Sequence, residues 1–529
     1  MATTQPGTPG IHESDAFPPS VVAVDTAVPA FIGYTQTGPL NAPVRIRSMS
    51  DHEARFGGAF REQFSLAAGE AGAGDGAVGK VNLGSDAYQL VRSGSARFHL
   101  HDGLRMFFAN GGSDCFVVSC GTFLDQSGSP APIRRDKLLA ALDAVADLAG
   151  PTILSIPDAA LLAADNCTGA PFADVIVAML RQCLDKGDRV AIIDVWTDPA
   201  AAPAPDIGPA ILAFREGLAA APRVSLRYGM AYFPNLVTDL VLAADVTVDS
   251  FAKTELGSIA EALERYAKYL YPPAPGAGNA PYAQVEPYLA ALAGNDWTPH
   301  GAEPQPGRMT ASQLTSALAA ALPDLRGLFG LIAASRNVVP PSGAMAGLYA
   351  STDSENGVWT APANVGIANV VAPLVPISDG QQQDMNAPPD GLCVNAIREF
   401  VGRGTLVWGA RTLDGNSNDW RYIQVSRTAI FVDQSVKQAL QAFAFAPNAA
   451  TTWVAVTSAI GSFLHGLWAA GGLMGGTAAE AYTVMCGLGS TMTSDDVLSG
   501  IMRVQVMLQM VHPAEFIELS FTQQMLGGN

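Results

Sequence analysis

The sequence predicts a multidomain protein of mixed α/β and α+β class. The chain is 529 residues long, which is enough for about three or four domains of ordinary size. Apolar strands alternate with amphipathic helices between residues 115 and 195, as in a largely parallel sheet covered by helices. Towards the C-terminus the apolar residues occupy every second position, which is the period of a strand.

The N-terminal part of the chain predicts an arm followed by the first strands and a helix. Residues 1–20 are rich in Pro, Gly, Ser and Thr, a composition typical of an extended arm. Apolar residues share one helical face between Leu100 and Phe108, and Asn110-Gly111-Gly112 ends that helix because glycine accepts left-handed backbone. In order, we predict strands at 20–28 and 30–34, a Gly/Ala loop at 69–84, the helix at 96–110 and a buried strand at 115–120.

A run of α/β units follows, and after it comes a region with a different sequence pattern. The units alternate helices and strands, at 137–148, 152–156, 172–185 and 189–195. Residues 250–335 instead contain the helical stretch "SIAEALERYAKYL" and Ala/Leu-rich helices at 311–333. We therefore predict that 250–335 form an inserted helical lobe.

The C-terminal part predicts an α+β unit that ends in strands. We place strands at 397–408 and 422–425 and a helix at 427–445. Two later stretches alternate apolar with mostly polar residues, first Val504, Val506, Leu508 and Met510 and then, after Pro513, Ile517, Leu519 and Phe521. This alternation predicts a strand only a few residues from the C-terminus.

Composition argues against several classes of partner. The formal net charge is −18 and only 15% of the residues are charged, so the chain repels phosphate and we expect no nucleic-acid partner. The six cysteines have no repeating spacing, and Met1–Gly7 has neither a basic nor an apolar segment. We therefore expect a protein of the reducing cytosol without a signal peptide.

One long segment without charge raises the question of a membrane span. Residues 438–479 contain no Asp, Glu, Lys or Arg. Within it the apolar residues recur at helical spacing on one face, while Thr457, Ser458 and Ser462 mark the other. A membrane-spanning helix is apolar all round, so we predict a buried amphipathic helix.

Two motifs for ligand binding are weak. Gly74–Lys80 fits most of a phosphate-binding loop, but Val81 stands where Ser or Thr is needed and no apolar strand precedes it. His99 and His101 lie two residues apart, which places them on different sides of a helix and prevents a shared metal. We therefore predict no cofactor and no metal site.

Two aspartates occupy positions that enzymes of the α/β class often use. Asp158 and Asp194 each follow a predicted parallel strand, where catalytic groups commonly lie. However, the sequence has no GxSxG elbow, and no histidine occurs between residues 102 and 299. Aspartate also caps helices and begins turns. We expect no catalytic residue, and an α/β hydrolase-like enzyme using these two carboxylates stays a rival hypothesis.

Five stretches, in order and spanning nearly the whole chain, resemble the sheath proteins of contractile phage tails and phage-like contractile injection systems. The stretch at 338–364 is the most specific. They are "TPGIHESDAFPPSVVAVDTAVPAFIGYTQTGP" (8–39), "FHLHDGLRMFFANGGSDCFVVSCG" (98–121), "VVPPSGAMAGLYASTDSENGVWTAPAN" (338–364), "NAIREFVGRGTLVWGARTL" (395–413) and "VHPAEFIELSFTQQM" (511–525).

The resemblance implies a domain plan. An inner core would use both ends of the chain, beside a three-layer, non-catalytic α/β unit of subtilisin-like topology and an outer helical lobe. The expected parts are an N-terminal arm and first strand (1–30), the α/β sheath domain (31–249 plus 336–375), the outward-facing lobe (250–335), an α+β core facing the inner tube (376–515) and a C-terminal linker strand (516–529).

The resemblance also implies a function and a set of partners. Copies would stack as six-fold rings into a helical cylinder around an inner tube, in a metastable extended state that contracts to drive the tube through a target envelope. Partners would be the chain itself, the inner tube protein, and baseplate and cap proteins. Assembly would take place in the bacterial cytoplasm, as part of a phage-like particle that is released or acts inside its producer. A static shell or S-layer-like assembly is the second rival.

Particular residues follow as expectations from this plan. Strand exchange between copies would use the arm and the terminal strand, at Gly10, Ile11, Val21, Val22, Val24, Phe516, Ile517, Leu519 and Phe521. The tube-facing surface would include Gln434, Lys437 and Gln441. Trp359, with Gly357 and Pro362 fixing the chain around it, would anchor the core, and its replacement by alanine would cost roughly 3–5 kcal/mol.

Overall fold

The computed structural model describes residues 21–69, 76–94, 97–163, 170–195, 207–272, 280–303 and 305–516. The strands are β1 (Pro29–Thr35), β2 (Val44–Ile46), β3 (Phe64–Ala68), β4 (Ala77–Leu83), β5 (Asp86–Arg92), β6 (Cys115–Thr122), β7 (Ile153–Ser155), β8 (Val190–Asp194), β9 (Gly229–Phe233), β10 (Leu236–Thr238), β11 (Trp297–Thr298), β12 (Met309–Thr310), β13 (Val338–Val339), β14 (Val370–Pro373), β15 (Asn395–Phe400), β16 (Gly404–Trp408), β17 (Tyr482–Met485) and β18 (Gln505–Leu508).

The helices are α1 (Met49–Phe56), α2 (Leu100–Ala109), α3 (Arg135–Asp143), α4 (Ala170–Lys186), α5 (Gly208–Gly217), α6 (Leu256–Leu270), α7 (Ala280–Ala293), α8 (Ala311–Ala321), α9 (Leu325–Arg336), α10 (Ser342–Asn356), α11 (Asp379–Asn386), α12 (Ile423–Leu440), α13 (Ala450–Ala469), α14 (Ala478–Ala481) and α15 (Ser494–Leu498). The described chain forms two compact units. We call residues 27–351 and 362–421 the sheet unit, and residues 21–26, 352–361 and 422–516 the terminal unit.

The sheet unit is built on an eight-stranded sheet in the order β16-β15-β9-β8-β7-β1-β6-β2. The six inner strands are parallel, and β16 and β2 run antiparallel at the two edges. Every residue of β1 and β8 is buried, as expected for parallel strands covered on both faces. The predicted parallel sheet is confirmed.

A second core in the sheet unit joins helices to a small antiparallel sheet. Strands β3, β5 and β4 pair in that order, and their inner faces pack against the helices α6 to α9. The apolar residues of this core come from 64–90 and from 241–333. The helices predicted in 250–335 are therefore present, and part of their core comes from a much earlier stretch of the chain.

Three local predictions are wrong. Residues 21–28 form no strand, because the regular pairing begins at Pro29 in β1. The segment 422–425, predicted as a strand, instead begins helix α12. Its alternating apolar residues lie in the first turns of that helix, and those turns are buried on all sides. The predicted loop at 69–84 contains β4, which pairs with β5 despite its glycine and its lysine.

Helix α10 crosses α2 at very close range. A Cβ atom on Gly343 would lie 2.2 Å from the carbonyl oxygen of Gly103, and one on Gly347 would lie 2.5 Å from that of Phe107. Both positions must therefore be glycine for the two helix backbones to approach each other. Both glycines belong to "SGAMAG" (342–347), which lies in the most specific of the resembling stretches. The close helix contact therefore gives this motif a structural role.

Asp158 and Asp194 fasten these two helices to the carboxyl ends of the parallel strands. Asp158 accepts hydrogen bonds from the backbone N–H of Tyr34 at 2.8 Å and of His99 at 2.6 Å. Asp194 accepts from the backbone N–H and the hydroxyl of Ser342, at 2.7 and 2.5 Å. Both carboxyls therefore hold the first turns of α2 and α10.

Burial raises the pKa of Asp194 to about 7, and the hydrogen bonds from Ser342 oppose that rise. The unfolded carboxyl has its ordinary pKa near 4, so the folded state binds the extra proton between about pH 4 and 7. The stability that this group contributes is therefore lost as the pH rises through that window.

We predict that Asp194→Asn, which cannot ionise, becomes progressively more stable relative to the unsubstituted chain between pH 4 and pH 7. The reason is that asparagine keeps a hydrogen-bond acceptor for Ser342 and carries no buried charge at neutral pH. Denaturation midpoints of the two chains, measured side by side at several pH values, check this. A midpoint difference that does not change with pH would contradict it.

Candidate functional site

The terminal unit has a core of two helices and a small sheet. Helices α12 and α13 contribute most of the buried side chains, and the sheet strands contribute half-buried ones. The buried residues are Val432, Val436, Val456, Ile460, Leu464, Leu467, Leu473 and Ala481. Helix α13 lies in the predicted charge-free segment, and its buried residues share one face, so the prediction of an amphipathic helix is confirmed. Among the described residues, no helix has the length and apolar character to cross a membrane.

The sheet of this unit has only two strands within the described residues. Strands β17 and β18 pair antiparallel, from Tyr482 opposite Leu508 to Met485 opposite Gln505. The side chains of Tyr482, Val484, Val506 and Leu508 pack on the helical core. Met507 points to the other face and is exposed. One face of the sheet is therefore covered and the other is open, as is usual for antiparallel sheets.

Both edges of this sheet have backbone groups that point away from the partner strand. Gln509 donates its N–H to the carbonyl of Ala481 at 2.9 Å, so this facing pair is hydrogen-bonded. Hydrogen-bonded and non-bonded pairs alternate along an antiparallel ladder. The N–H and C=O groups of Val484 and Val506 therefore point outward, one pair on each edge. In the described chain, no backbone hydrogen bond reaches either of them.

Segments from near both ends of the chain attach to the beginning and middle of α12. Val24 donates its N–H to the hydroxyl of buried Ser435 at 3.2 Å. Arg427 donates to the carbonyl of Thr26 at 3.0 Å, and it forms a buried ion pair with Asp353. Near the C-terminal end of the described chain, Glu515 accepts a hydrogen bond from the hydroxyl of Tyr422 at 3.2 Å. The terminal unit therefore holds the described segments nearest to both chain ends.

The predicted strand-exchange residues fall partly within the described chain. Val21 packs against the helical core, while Val22 and Phe516 are exposed. Val24 is tied to Ser435 as described above. The remaining residues of this prediction, Gly10, Ile11, Ile517, Leu519 and Phe521, lie outside the described residues.

The terminal unit also exposes an unusual amount of apolar surface. More than half of the large apolar side chains that are exposed in the described chain belong to it, although it is much the smaller unit. They are Val22, Phe445, Val454, Met474, Leu488, Leu498, Ile501, Met507 and Phe516. Concentrated exposed apolar surface marks a protein–protein contact.

The residues predicted to face a tube lie on the outer face of α12 and directly after its last residue. Gln434 is half-buried, whereas Lys437 and Gln441 are exposed, and their spacing of three and four residues puts them on one face. Lys437 forms an ion pair with Asp433 at 2.7 Å, one helical turn earlier. This surface is therefore polar and open, and its partner stays a prediction.

Trp359 lies in the terminal unit and packs against its core. Its ring lies over two glycines, because a Cβ atom on Gly357 or Gly472 would come within 2.3 or 2.9 Å of the indole. The backbone of Gly357 has a φ of 87°, which side-chain-bearing residues avoid. Pro362 is buried in the sheet unit. In "GVW" (357–359), the first residue must therefore be glycine, because the indole of Trp359 occupies the space that a side chain would need.

The residues considered for catalysis and ligand binding have other roles or surroundings. Asp158 and Asp194 accept hydrogen bonds at the starts of helices. Gly79 and Lys80 lie inside strand β4, so no helix follows the phosphate-loop motif as it would have to. His99 and His101 are both buried, and no cluster of metal-ligating side chains occurs among the described residues.

Two comparisons bear on what this arrangement is. Residues 416–524 match the family model described as the phage tail sheath C-terminal domain. A chain in the cryo-EM structure of the anti-feeding prophage helical sheath in its contracted state is 25% identical, with a TM-score of 0.55, and the match covers 98% of this chain and 100% of that one. Residues 416–524 therefore carry the C-terminal domain of phage tail sheath proteins, and the chain as a whole is similar to a contractile sheath protein.

Two further structures share the fold of this chain. One is the sheath complex of an extracellular contractile injection system, PVC, in the contracted state, at 23% identity and a TM-score of 0.54, covering 99% of each chain. The other is the contracted anti-feeding prophage baseplate, at 21% identity and a TM-score of 0.59, covering 98% of this chain and 99% of that one. No curated protein sequence matches the chain.

The comparisons confirm the resemblance to contractile sheath proteins and the mixed α/β, multidomain class that the sequence predicts. The matched residues 416–524 include α12, α13 and the β17–β18 sheet. The sequence reasoning missed β17, because "YTVM" is only four residues long and follows a Gly-rich stretch. Its threonine between two larger side chains is the signal that could have found it.

We predict that Gly357→Ala destabilises the terminal unit more than Gly471→Ala does. Both glycines have positive φ, but a Cβ atom on Gly471 meets nothing within 4 Å. Gly471→Ala should therefore cost only about 1 kcal/mol of backbone strain. Gly357→Ala should cost about 2–3 kcal/mol because it also displaces the indole of Trp359.

Trp359→Ala is the companion variant, and it should cost about 3 kcal/mol, the lower end of the range, since the indole is only partly buried. Denaturant titration of the purified chains gives the three differences in unfolding free energy. Equal values for Gly357→Ala and Gly471→Ala would show that the indole does not require the space above Gly357.

Proposed function

We propose that this chain is the sheath subunit of a contractile injection system or phage-like tail. Copies polymerise as stacked six-membered rings around an inner tube, in an extended metastable state. A baseplate triggers contraction, and the shortening cylinder drives the tube through a target envelope. The related chains occur in contracted sheath and baseplate assemblies, and one comes from a baseplate symmetrised six-fold.

The observation that supports this proposal most directly is the pair of unpaired edges on the β17–β18 sheet. A two-stranded sheet is marginal by itself in water, and its outward N–H and C=O groups are suited to bind further strands. The chain ends of neighbouring copies supply those strands, one on each edge. Each copy then donates its N-terminal arm and its C-terminal strand to neighbouring copies, and it receives two strands from neighbouring copies.

Strand exchange of this kind fits a cylinder that changes shape without coming apart. The connecting hydrogen bonds lie between a strand and the sheet that it joins, so the flexible arms absorb the motion of the larger bodies. The contact is heterologous and therefore propagates instead of closing on itself. Contraction is then a rigid-body rearrangement of subunits out of a kinetically trapped state.

The other parts of the chain take complementary roles in this proposal. The α/β sheath domain (31–249 plus 336–375) is a three-layer unit of subtilisin-like topology that has lost or never had catalytic groups. The helical lobe at 250–335 faces outward. Within the predicted core at 376–515, the part from residue 422 onward, which belongs to the terminal unit, faces the inner tube. Gln434, Lys437 and Gln441 lie on the contacting face, and cap and baseplate proteins bind the two ends of the cylinder.

We predict that Val506→Pro abolishes assembly and leaves the monomer folded. Proline removes the outward N–H that an incoming strand needs, while the ladder to β17 keeps its own hydrogen bonds. Val506→Ala is the matched control, because it removes side-chain packing but keeps the N–H. Negative-stain microscopy should show cylinders for the alanine variant and none for the proline variant.

Melting curves of the two monomers separate loss of assembly from loss of folding. Cylinders formed by a folded Val506→Pro chain at the normal rate would overturn strand exchange at this edge. Flat lattices formed by the unsubstituted chain would instead favour a static shell, whereas small uniform particles would favour an enzyme.

Deletion of residues 516–529 should likewise abolish cylinders and leave a folded monomer, because the donated strand is lost. Sedimentation of the truncated chain under assembly conditions provides the measurement. Polymerisation at the same concentration as the full-length chain would show that the C-terminal segment is not exchanged.

A further inference from the structure

The loop between α12 and α13 holds a phenylalanine in a backbone conformation that suits glycine. Residues 443–446 form a β-turn, closed by a hydrogen bond from the N–H of Ala446 to the carbonyl of Phe443 at 3.1 Å. Ala444 has φ −59° and ψ 134°, and Phe445 has φ 66°. These are the angles of a type II turn, whose third residue is normally glycine or asparagine. Phenylalanine at this position strains the backbone.

The side chain of Phe445 is also fully exposed, whereas Phe443, two residues earlier, packs on the core of the terminal unit. The loop is restrained after the turn, because Asn448 accepts a hydrogen bond from the indole of Trp453 at 2.7 Å and donates one to the carbonyl of Ile501 at 3.1 Å. A restrained turn thus presents a large aromatic ring to its surroundings. Strain and full exposure together indicate that the ring binds something.

The described segment nearest to the N-terminus runs along α12 towards this turn. Thr26 accepts a hydrogen bond from Arg427, near the start of α12, and Val24 donates one to Ser435, two turns further along the helix. Followed back towards residue 1, the chain therefore advances towards the C-terminal end of α12.

The N-terminal arm leaves the described chain close to Phe445. Val21 packs on the same core as Leu440, the last residue of α12, and Phe443. Four residues of extended chain span about 13 Å. That length is sufficient to bring residues 17–19 from Val21 to the ring of Phe445.

The composition of this part of the arm suits an exposed aromatic ring. Residues 17–19 are Phe-Pro-Pro. Consecutive prolines favour the polyproline II conformation, in which proline-rich segments dock on aromatic side chains. Their restricted backbone has little freedom to lose on binding. Neither residues 16–24 nor the long segment 438–479 around Phe445 contains a lysine, arginine or glutamate, so no buried ion pair is needed.

We propose that Phe445 is the docking point for residues 17–19 of its own N-terminal arm. The contact is intramolecular and forms in the free chain, so it does not depend on strand exchange between copies. Where copies do exchange strands, as in the proposed function, the docking fixes the point at which the arm leaves its own subunit. Residues before Phe17, which include Gly10 and Ile11, are then the part of the arm that is available to a neighbouring copy.

Cross-linking of the dilute full-length chain tests the docking. Phe17→Cys and Phe445→Cys are combined in a background that carries Cys167→Ser and Cys486→Ser, since the other four cysteines are buried. A short bis-maleimide should join the two new cysteines within one chain, which keeps the mass of a monomer in denaturing electrophoresis.

Phe17→Cys combined with Met474→Cys is the matched control. Met474 is exposed in the same unit and donates its N–H to Gln509 at 2.8 Å, which places it at the opposite end of the β17–β18 sheet from Ile501. The Phe17–Phe445 pair should react about tenfold faster than this control. Equal rates, or a product with the mass of a dimer, would overturn the proposal, the dimer by showing that the arm comes from another copy.

A double-mutant cycle with Phe17→Ala and Phe445→Gly provides a second test, and neither change threatens the fold. Glycine relieves the strain of the turn, so Phe445→Gly alone combines that gain with the loss of the docking contact. In the Phe17→Ala background the contact is already lost. Phe445→Gly should therefore raise the folding equilibrium constant about fivefold more in that background, as expected for an aromatic contact. The same effect in both backgrounds would contradict the docking.

Discussion

The unpaired edges of the β17–β18 sheet are the feature on which the rest of this account depends. The sheet packs one apolar face on α12 and α13 but leaves outward backbone groups at Val484 and Val506 without partners in the described chain. An edge of this kind is an aggregation hazard unless pairing is its purpose. The same unit carries most of the exposed large apolar side chains. The protein therefore concentrates its capacity to assemble in one small unit.

The sheet unit shows a different design, because its own chain covers one edge of the large sheet and the other edge strand is short. Backbone bonds between 364–365 and Val407 cover β16, at 2.7 and 3.1 Å. At the other edge, β2 has only three residues, and Arg45 within it pairs with Asp114. Asp158 and Asp194, where an α/β enzyme would place reactive groups, instead hold helices α2 and α10. The large sheet therefore offers little free edge to a strand from another copy.

The sequence predicts well the elements whose signals are local. Strands such as β8 and the amphipathic α13 have apolar patterns that only one structure satisfies, and the positions of Asp158 and Asp194 at strand ends follow from those patterns. The segment 422–425 is wrongly predicted as a strand because the first turns of α12 are buried on all sides. The apolar residues of those turns therefore show no helical periodicity. Open edges depend on which distant segments meet, so no local pattern reveals them. The close contact of α2 with α10 is equally non-local, although its glycines are visible.

The central claim is that each copy completes its terminal sheet with strands from other copies. A cryo-EM map of the assembled particle, at a resolution that allows the chain to be traced from residue 1 to 529, tests it most directly. The account predicts a sheet of at least four strands around β17 and β18, with the two added strands continuous with two neighbouring chains. A map in which both chain ends return to the sheet of their own molecule, or in which the edges are left bare, would contradict it.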